Sequence, residues 1–428
     1  MDKLTTLKST YACGRISRRG FMEGALALGM TVAGASAFTA SVAAATPKKG
    51  GTFRLGLGGA STTDSWDPAT FISSFTQVGC FAGMHNSLTE VDANGDIVPE
   101  LAESFEASPD AKVWTFKIRK GTEFHNGKSV TAEDAIASIQ HHRGEDSKSA
   151  AKPLLADITE MTAPDANTLV VKLANGNADF PYVVNDYHIP VLPSKDGKVM
   201  WEDGVGAGPY AKVKVDWGVE FNLKRNPNYW KDDRGHFDEI VLLGIADAAA
   251  RQNALVSGEI HAMNRVDLKT AHLLGRNPGV KIHSIPGNQH YTIPMNTTVA
   301  PFDNNDVRLA LKYAIDREAL VKKILSGHGL PANDHPIGIN QKYFAKDLEQ
   351  RAYDPDKAKF HLKKAGMENL KVDLHTANTA FGGAIDAAVL YQAHAKAAGI
   401  DINVVREADD GYWVNVWMKK PWSMSYWG

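Results

Sequence analysis

Three consecutive segments in the last third of the chain restrict its fold more than any others. "LKVDLHT" (Leu370 to Thr376) and "IDINVV" (Ile400 to Val405) alternate apolar and polar side chains, and "AIDAAVLYQAHAKAAG" lies between them. Period-two alternation predicts strands; the intervening run predicts a helix that stops at Gly399. A strand–helix–strand unit favours parallel pairing and a right-handed crossover. This part of the chain is therefore expected to be α/β.

The rest of the chain repeats the same vocabulary. "GTFRLGLG" predicts a short strand, and "KVWTFKIRK" places Trp114, Phe116 and Ile118 on one face of another. "TLVVKL" and "EFNLKR" follow suit. In "TAEDAIASI", Thr131 stands three residues before Asp134, the spacing of a capping box. In "YDPDKAKFHLKKAG", Asp354 suits the cap, Pro355 the first helical position and Gly366 the stop. "DVRLALKYAIDREALVKKIL" sets Val307, Leu311, Ala314, Val321 and Ile324 at helical spacing, predicting a helix through the whole run. With no internal repeat or low-complexity linker, the expectation is an α/β architecture with more than one lobe.

The N-terminus has a different character. Arg15, Arg18 and Arg19 form a basic region, "SRRGFM" is a twin-arginine pattern, and a Gly/Ala-rich apolar stretch ends in "SVAAAT". These features predict a twin-arginine signal peptide over residues 1–45, cleaved before Thr46. Glu23 and the glycines argue against a membrane-spanning helix as the alternative. Cys13 precedes the arginines, so Cys80 is the only cysteine after Thr46 and no intramolecular disulfide is expected there. The net charge of −2 points to no nucleic-acid partner.

A search for catalytic chemistry is mostly negative. "GTEFHNGKS" (Gly121 to Ser129) looks like a phosphate-binding loop, but five residues separate its glycines instead of four, and Glu123 would repel a phosphate. There is no Gly-x-Ser-x-Gly elbow and no His-Glu-x-x-His. His141 and His142 are adjacent, so on a helix they point about 100° apart and suit a helix C-terminus better than a shared metal. Asp409 and Asp410 suit a solvated loop or the edge of a site. Six large aromatics crowd the end of the chain: Tyr412, Trp413, Trp417, Trp422, Tyr426 and Trp427. Some belong in a core, and others are expected to line a ligand cleft. No catalytic residue, metal or cofactor is assigned.

The stretch "IVPELAESFEASPDAKVWTFKIRKGTEFHNGKSVTAEDAIASI" resembles the signature of solute-binding protein family 5, the extracytoplasmic receptors of peptide and nickel ATP-binding-cassette importers. The elements that carry the likeness are Pro99, Leu101-Ala102, Ser104-Phe105, Thr115-Phe116, Ile118-Arg119, Gly121, Phe124 to Gly127 and Thr131 to Asp134. "SWDPAT", "GAGPY" (Gly206 to Tyr210), "LKRNPNYW" and "MNTTVAPFDNNDVRLALKYAIDREALV" follow in family order. In this setting "GTEFHNGKS" is a turn between a strand and a capped helix: Asn126-Gly127 makes the turn and Phe124 packs inward.

The resemblance implies a two-lobe periplasmic-binding-protein architecture (class II). Lobe one would comprise residues 46–90 and 206–291, with an extra subdomain inserted at 91–205; lobe two would be 292–428. It implies a monomer that closes on a peptide or small solute by hinge motion and presents it to an inner-membrane permease. By position, ligand contacts are expected at Ser73, Phe75, Asn296, Thr379, Phe381, Tyr412, Trp413 and Trp427. Family members continue beyond "SMSYWG", so lobe two and its return segment to lobe one are expected to be incomplete. The acidic residue that takes a peptide amine would lie past Gly428. "HTANTAFGGAID" lacks the arginine that dipeptide receptors place before the following helix, which leaves a longer peptide, a sugar-derived compound or an opine-like solute open. The alternatives are an exported α/β hydrolase-type enzyme and a non-functional truncated fragment.

Overall fold

The computed structural model describes residues 3–4, 7, 17–36, 38, 47–92, 95–284, 288–339 and 344–427. The expected cleavage point before Thr46 and Cys13 both lie outside them. The chain divides into two compact units, one of residues 1–51 with 236–238, the other of residues 52–235 with 239–428. In the first unit, Ser17 caps the helix Arg18–Ala27 by accepting a hydrogen bond from the Gly20 N–H at 3.1 Å. Phe21, Ala25 and Ala35 form a small buried cluster. No helix among the described residues is long and apolar enough to cross a membrane.

The second unit holds three hydrophobic cores. The first lies under a five-stranded sheet ordered Tyr210–Asp216, Glu220–Arg225, Glu239–Gly244, Thr52–Leu57, Ala262–Met263. Thr52–Leu57 runs parallel to both neighbours, in register Thr52 to Glu239 and Leu55 to Ala262. Helix Ala248–Ser257 connects its two partners, as a parallel arrangement requires. Phe71, Phe75, Phe221 and Leu242 are buried beneath this sheet. The segment Thr76–Met84 is a π-helix, closed by the His85 N–H donating to the Cys80 carbonyl at 3.0 Å. It lies so close to the sheet that a Cβ on Gly79 would meet Phe221 at 2.5 Å.

The second core belongs to an antiparallel sheet ordered Ala102–Ala107, Val113–Ile118, Thr168–Leu173, Ile158–Asp165. Trp114, Phe116 and Ile118 point into it, as the alternation predicts. Helix Ala132–His141 carries the expected capping box of Thr131 and Asp134. Asp134 is fully buried and also accepts hydrogen bonds from Lys128 Nζ (2.6 Å) and from the Ser194 N–H and hydroxyl (2.7 Å each). Lys128, the lysine of the loop that resembles a phosphate site, therefore serves a helix cap. Gly127 turns at φ 82° and Phe124 is buried, as expected. His125 closes the segment onto "GAGPY". Its Nδ1 accepts from the Gly206 N–H at 3.2 Å, which puts the ring proton on Nε2 facing the Gly208 carbonyl at 3.0 Å.

The third core contains the strand–helix–strand unit. Leu370–Thr376 and Ile400–Arg406 pair in parallel, Leu370 opposite Ile400, with helix Ala384–Ala395 between them in sequence. Val307, Leu311, Leu374, Tyr391, Ile402 and Trp422 are buried together, each such apolar side chain contributing about 1.5–3 kcal/mol. The single helix expected from Asp306 to Leu325 is instead two, Asn305–Tyr313 and Arg317–Lys323. Asp316 causes the break: its carboxylate accepts the Ala319 N–H at 2.9 Å and begins a new helix. The Asp354 N–H takes the Tyr313 carbonyl at 2.9 Å. Asp354 also caps the helix Pro355–Lys364, as expected. His142 departs from expectation too. It is buried against the Ser149 hydroxyl at 2.7 Å, and burial pushes its pKa down to about 4, so it is held neutral rather than charged at a helix end. His141 ends the helix Ala132–His141 and pairs with Asp67 at 2.7 Å.

Candidate functional site

A cleft of about 2200 Å³ lies within the second unit. Loops that leave the carboxyl ends of parallel strands form much of its walls, joined by side chains of the helices Asn305–Tyr313, Arg317–Lys323 and Ala384–Ala395. Thr52–Leu57 runs into Gly58 to Thr62, Glu239–Gly244 into Ala246 to Ala248, and Ala262–Met263 into Asn264 and Arg265. Opposite, Leu370–Thr376 runs into Asn378 to Gly383 and Ile400–Arg406 into Asp409 and Asp410. Open α/β sheets place ligands at such ends because the chain leaves the sheet there and its side chains are free of the core.

Three contacts cross between the walls. Asp410 accepts from the Thr62 hydroxyl (2.7 Å), the Thr62 N–H (3.1 Å) and the Ser61 hydroxyl (3.2 Å). These bonds, led by the Thr62 hydroxyl, hold its pKa below the usual carboxylate value. Arg265 Nη1 donates to the Thr379 carbonyl at 3.0 Å, and Lys269 pairs with Asp386 at 2.5 Å. The last pair is half-exposed and adds little stability. Behind the clasp, Asp64 accepts from the Ser73 hydroxyl at 2.6 Å and the Ser61 N–H at 3.2 Å, yet burial lifts its pKa to about 6.

The eight residues singled out in the sequence take different positions. Thr379, Phe381 and Trp427 line the cleft. Phe381 stacks on Tyr291, ring centroids 4.2 Å apart and planes 8° from parallel, and Thr379 is fixed by its N–H to Asp409 at 2.8 Å. Ser73 and Phe75 are buried, the first bound to Asp64 and the second in the core. Tyr412 is buried with its hydroxyl on the Met424 carbonyl at 2.8 Å. Trp413 packs edge-on against Tyr412, Trp417 and Tyr426, and Trp417 in turn meets Trp427. Asn296 is exposed and caps its own turn through the Thr298 N–H at 3.0 Å. Arg265 and Tyr291 line the cleft without having been singled out; the acidic pair Asp409-Asp410 and, from the C-terminal aromatic cluster, Trp422 and Tyr426 line it too. Among the described residues no group of three or more His, Cys, Asp or Glu side chains is placed to hold a metal.

Residues 96–428 match the family described as bacterial extracellular solute-binding proteins, family 5 Middle. The glutathione-binding protein GsiB of Pectobacterium atrosepticum is 29% identical over 315 residues, covering 72% of this chain and 60% of its own length. The chain thus spans about 60% of the length of the curated relatives it matches. Among solved structures, the periplasmic binding protein DppA of Helicobacter pylori, in complex with the peptide STSA, superposes with a TM-score of 0.76 at 23% identity, over 89% of this chain and 78% of its own. AgaA of A. tumefaciens R10, in complex with agropinic acid, does so with 0.77 at 24%, over 88% and 77%. These likenesses show the α/β, two-lobe periplasmic-binding-protein fold.

Proposed function

Since the chain belongs to the bacterial extracellular solute-binding proteins of family 5, we propose that it is the extracytoplasmic receptor of an ATP-binding-cassette importer. It captures a peptide or related small solute between two lobes and delivers it to a membrane permease, without making or breaking bonds. The observation that carries this is the cleft itself, bounded by strand-end loops from two separate sheets and bridged by the Asp410, Arg265 and Lys269 contacts. Such bridges are what a hinge closure makes and breaks. Glutathione, the peptide STSA and agropinic acid, named for the relatives, set the range of solutes to try.

The proposed division has lobe one at 46–90 and 206–291, its inserted subdomain at 91–205 and lobe two from 292 onward; three separate hydrophobic cores support it, although Leu88 and Ala207 pack with the core of the subdomain. Thr379, Phe381 and Trp427 are the ligand contacts favoured by their place in the cleft. The protein acts as a monomer in the periplasm, exported through its twin-arginine signal.

The test is the melting of the purified protein against peptides, opines, sugar derivatives and metal ions. A true ligand raises the midpoint with concentration, by about 2.7 kcal/mol of stability at a hundredfold excess over Kd. Recovery of the ligand chemically unchanged separates a receptor from a hydrolase. Turnover of the ligand, or a cooperative melt that no solute moves, would sink the proposal.

A further inference from the structure

We infer that the solute carries a carboxylate and that Arg265 is the residue that takes it. This rests on the receptor proposal above and specifies the chemistry of the same cleft.

The charges of the cleft are unbalanced in a specific way. Its carboxylates are engaged within the protein: Asp410 on Thr62 and Ser61, Asp409 on Thr379 and Asn378, Asp386 on Lys269, Asp334 on Arg317, and Asp247 and Asp267 on the N–H groups of Ala250 and Lys269. Arg265 has no such match. Among the described residues no carboxylate pairs with it, and its one hydrogen bond goes to the Thr379 carbonyl. A guanidinium offers five N–H groups in a planar fork, so most of its donors are uncommitted. Arg265 is half-buried, and a guanidinium with open donors in a cleft is suited to a bidentate carboxylate.

The surroundings present the fork rather than hide it. One face lies on the Tyr426 ring, with Cζ 4.7 Å from its centroid, which fixes the plane of the group. Its edge passes Gly59, where a Cβ would meet Nη1 at 3.1 Å. Arg251, which also lines the cleft, gives its N–H groups to the carbonyls of Ile245, Ala246 and Arg265, adding positive potential with those donors already committed. Tyr291, stacked on Phe381, lines the same cleft. The backbone supplies an independent sign. Arg265 sits at φ 52°, a left-handed conformation that residues other than glycine seldom adopt. Strain of that kind is retained where it aims a side chain. The arginine absent from "HTANTAFGGAID" thus has a functional substitute on the opposite wall.

The experiment is calorimetric titration of the whole protein with matched probes: trialanine, trialanine amide, and a non-peptide sugar–amino-acid conjugate as its acid and its amide. The acid of one pair is expected to bind about 10- to 100-fold more tightly than its amide, the span of a charged hydrogen-bond pair. Which pair binds tells a peptide terminus from a free organic acid. Arg265→Gln keeps an N–H for the Thr379 carbonyl and should abolish the acid-over-amide preference while leaving the unliganded melting midpoint in place. Arg265→Lys keeps the charge and should retain part of the preference. Equal binding of acid and amide, or an undiminished preference in Arg265→Gln, overturns the inference and leaves the receptor intact. If neither these probes nor any solute in the melting screen binds, the receptor proposal fails and this inference falls with it.

Discussion

Acid should unfold this protein through two buried imidazoles. His85 is enclosed between Phe71 and the Gly206 backbone with neither ring nitrogen hydrogen-bonded, and burial pushes its pKa from 6.5 to about 3. His142 is pushed to about 4, again mainly by burial. The folded state therefore binds these protons later than the unfolded chain, and stability falls as pH drops below about 6.5. Between pH 7 and pH 5 each histidine removes about 2 kcal/mol. Asp64 works the other way. Its folded pKa of about 6 lies above 3.8, so over the same interval it returns about 1.3 kcal/mol. The net expectation for the three groups is a loss of roughly 2.5 kcal/mol, and the lowered pKa of His125 adds to it. Urea unfolding at half-unit pH steps measures this directly, since the midpoint follows stability when the slope is constant. The double variant His85→Leu, His142→Leu should lose the fall on acidification, its midpoint holding or rising as Asp64 takes up its proton. A wild-type midpoint that holds or rises from pH 7 to pH 5, or a double variant with the original slope, would refute the assignment.

Two further outcomes follow from tight contacts. Gly79→Ala forces a methyl into Phe221 and Leu242, and should destabilise by about 1–3 kcal/mol in the same urea assay; a loss under half that would mean the π-helix can slide off the sheet. Asp410→Ala removes the three hydrogen bonds to Ser61 and Thr62, and should speed ligand release about tenfold in stopped-flow measurements, with little change in association rate; an unchanged release rate would mean that Asp410 takes no part in closure.

The strands were legible because burial on one face imposes period two, and Trp114, Phe116 and Ile118 follow it. The parallel unit of Leu370–Thr376 and Ile400–Arg406 was legible because a helix between two strands leaves few topologies. The break at Asp316 was missed because apolar spacing continues across it through Val321 and Ile324; the capping aspartate was the signal that outweighed periodicity. The cleft was less accessible. Aromatic richness near the C-terminus does not say which ring faces a core: Tyr412 is buried while Trp427 is exposed along the cleft, although both meet the same stack of tryptophans. Arg265 gave no local sign at all. Its position is defined by Thr379, 114 residues away, and by a backbone turn that no residue type announces.

Much of the cleft's lining is loop that begins where a parallel strand ends, and the rest includes core side chains such as Leu311, Tyr391 and Trp422. A solute in the cleft therefore meets two kinds of position, loops outside the sheets and side chains of the core. A loop can be rewritten to admit a different cargo while the sheets and their buried side chains stay as they are, so selection on transport can act on the loops largely apart from selection on folding. In this chain the second set would tolerate few changes and the first many, which makes the strand-end loops the place to exchange when a receptor of new specificity is wanted.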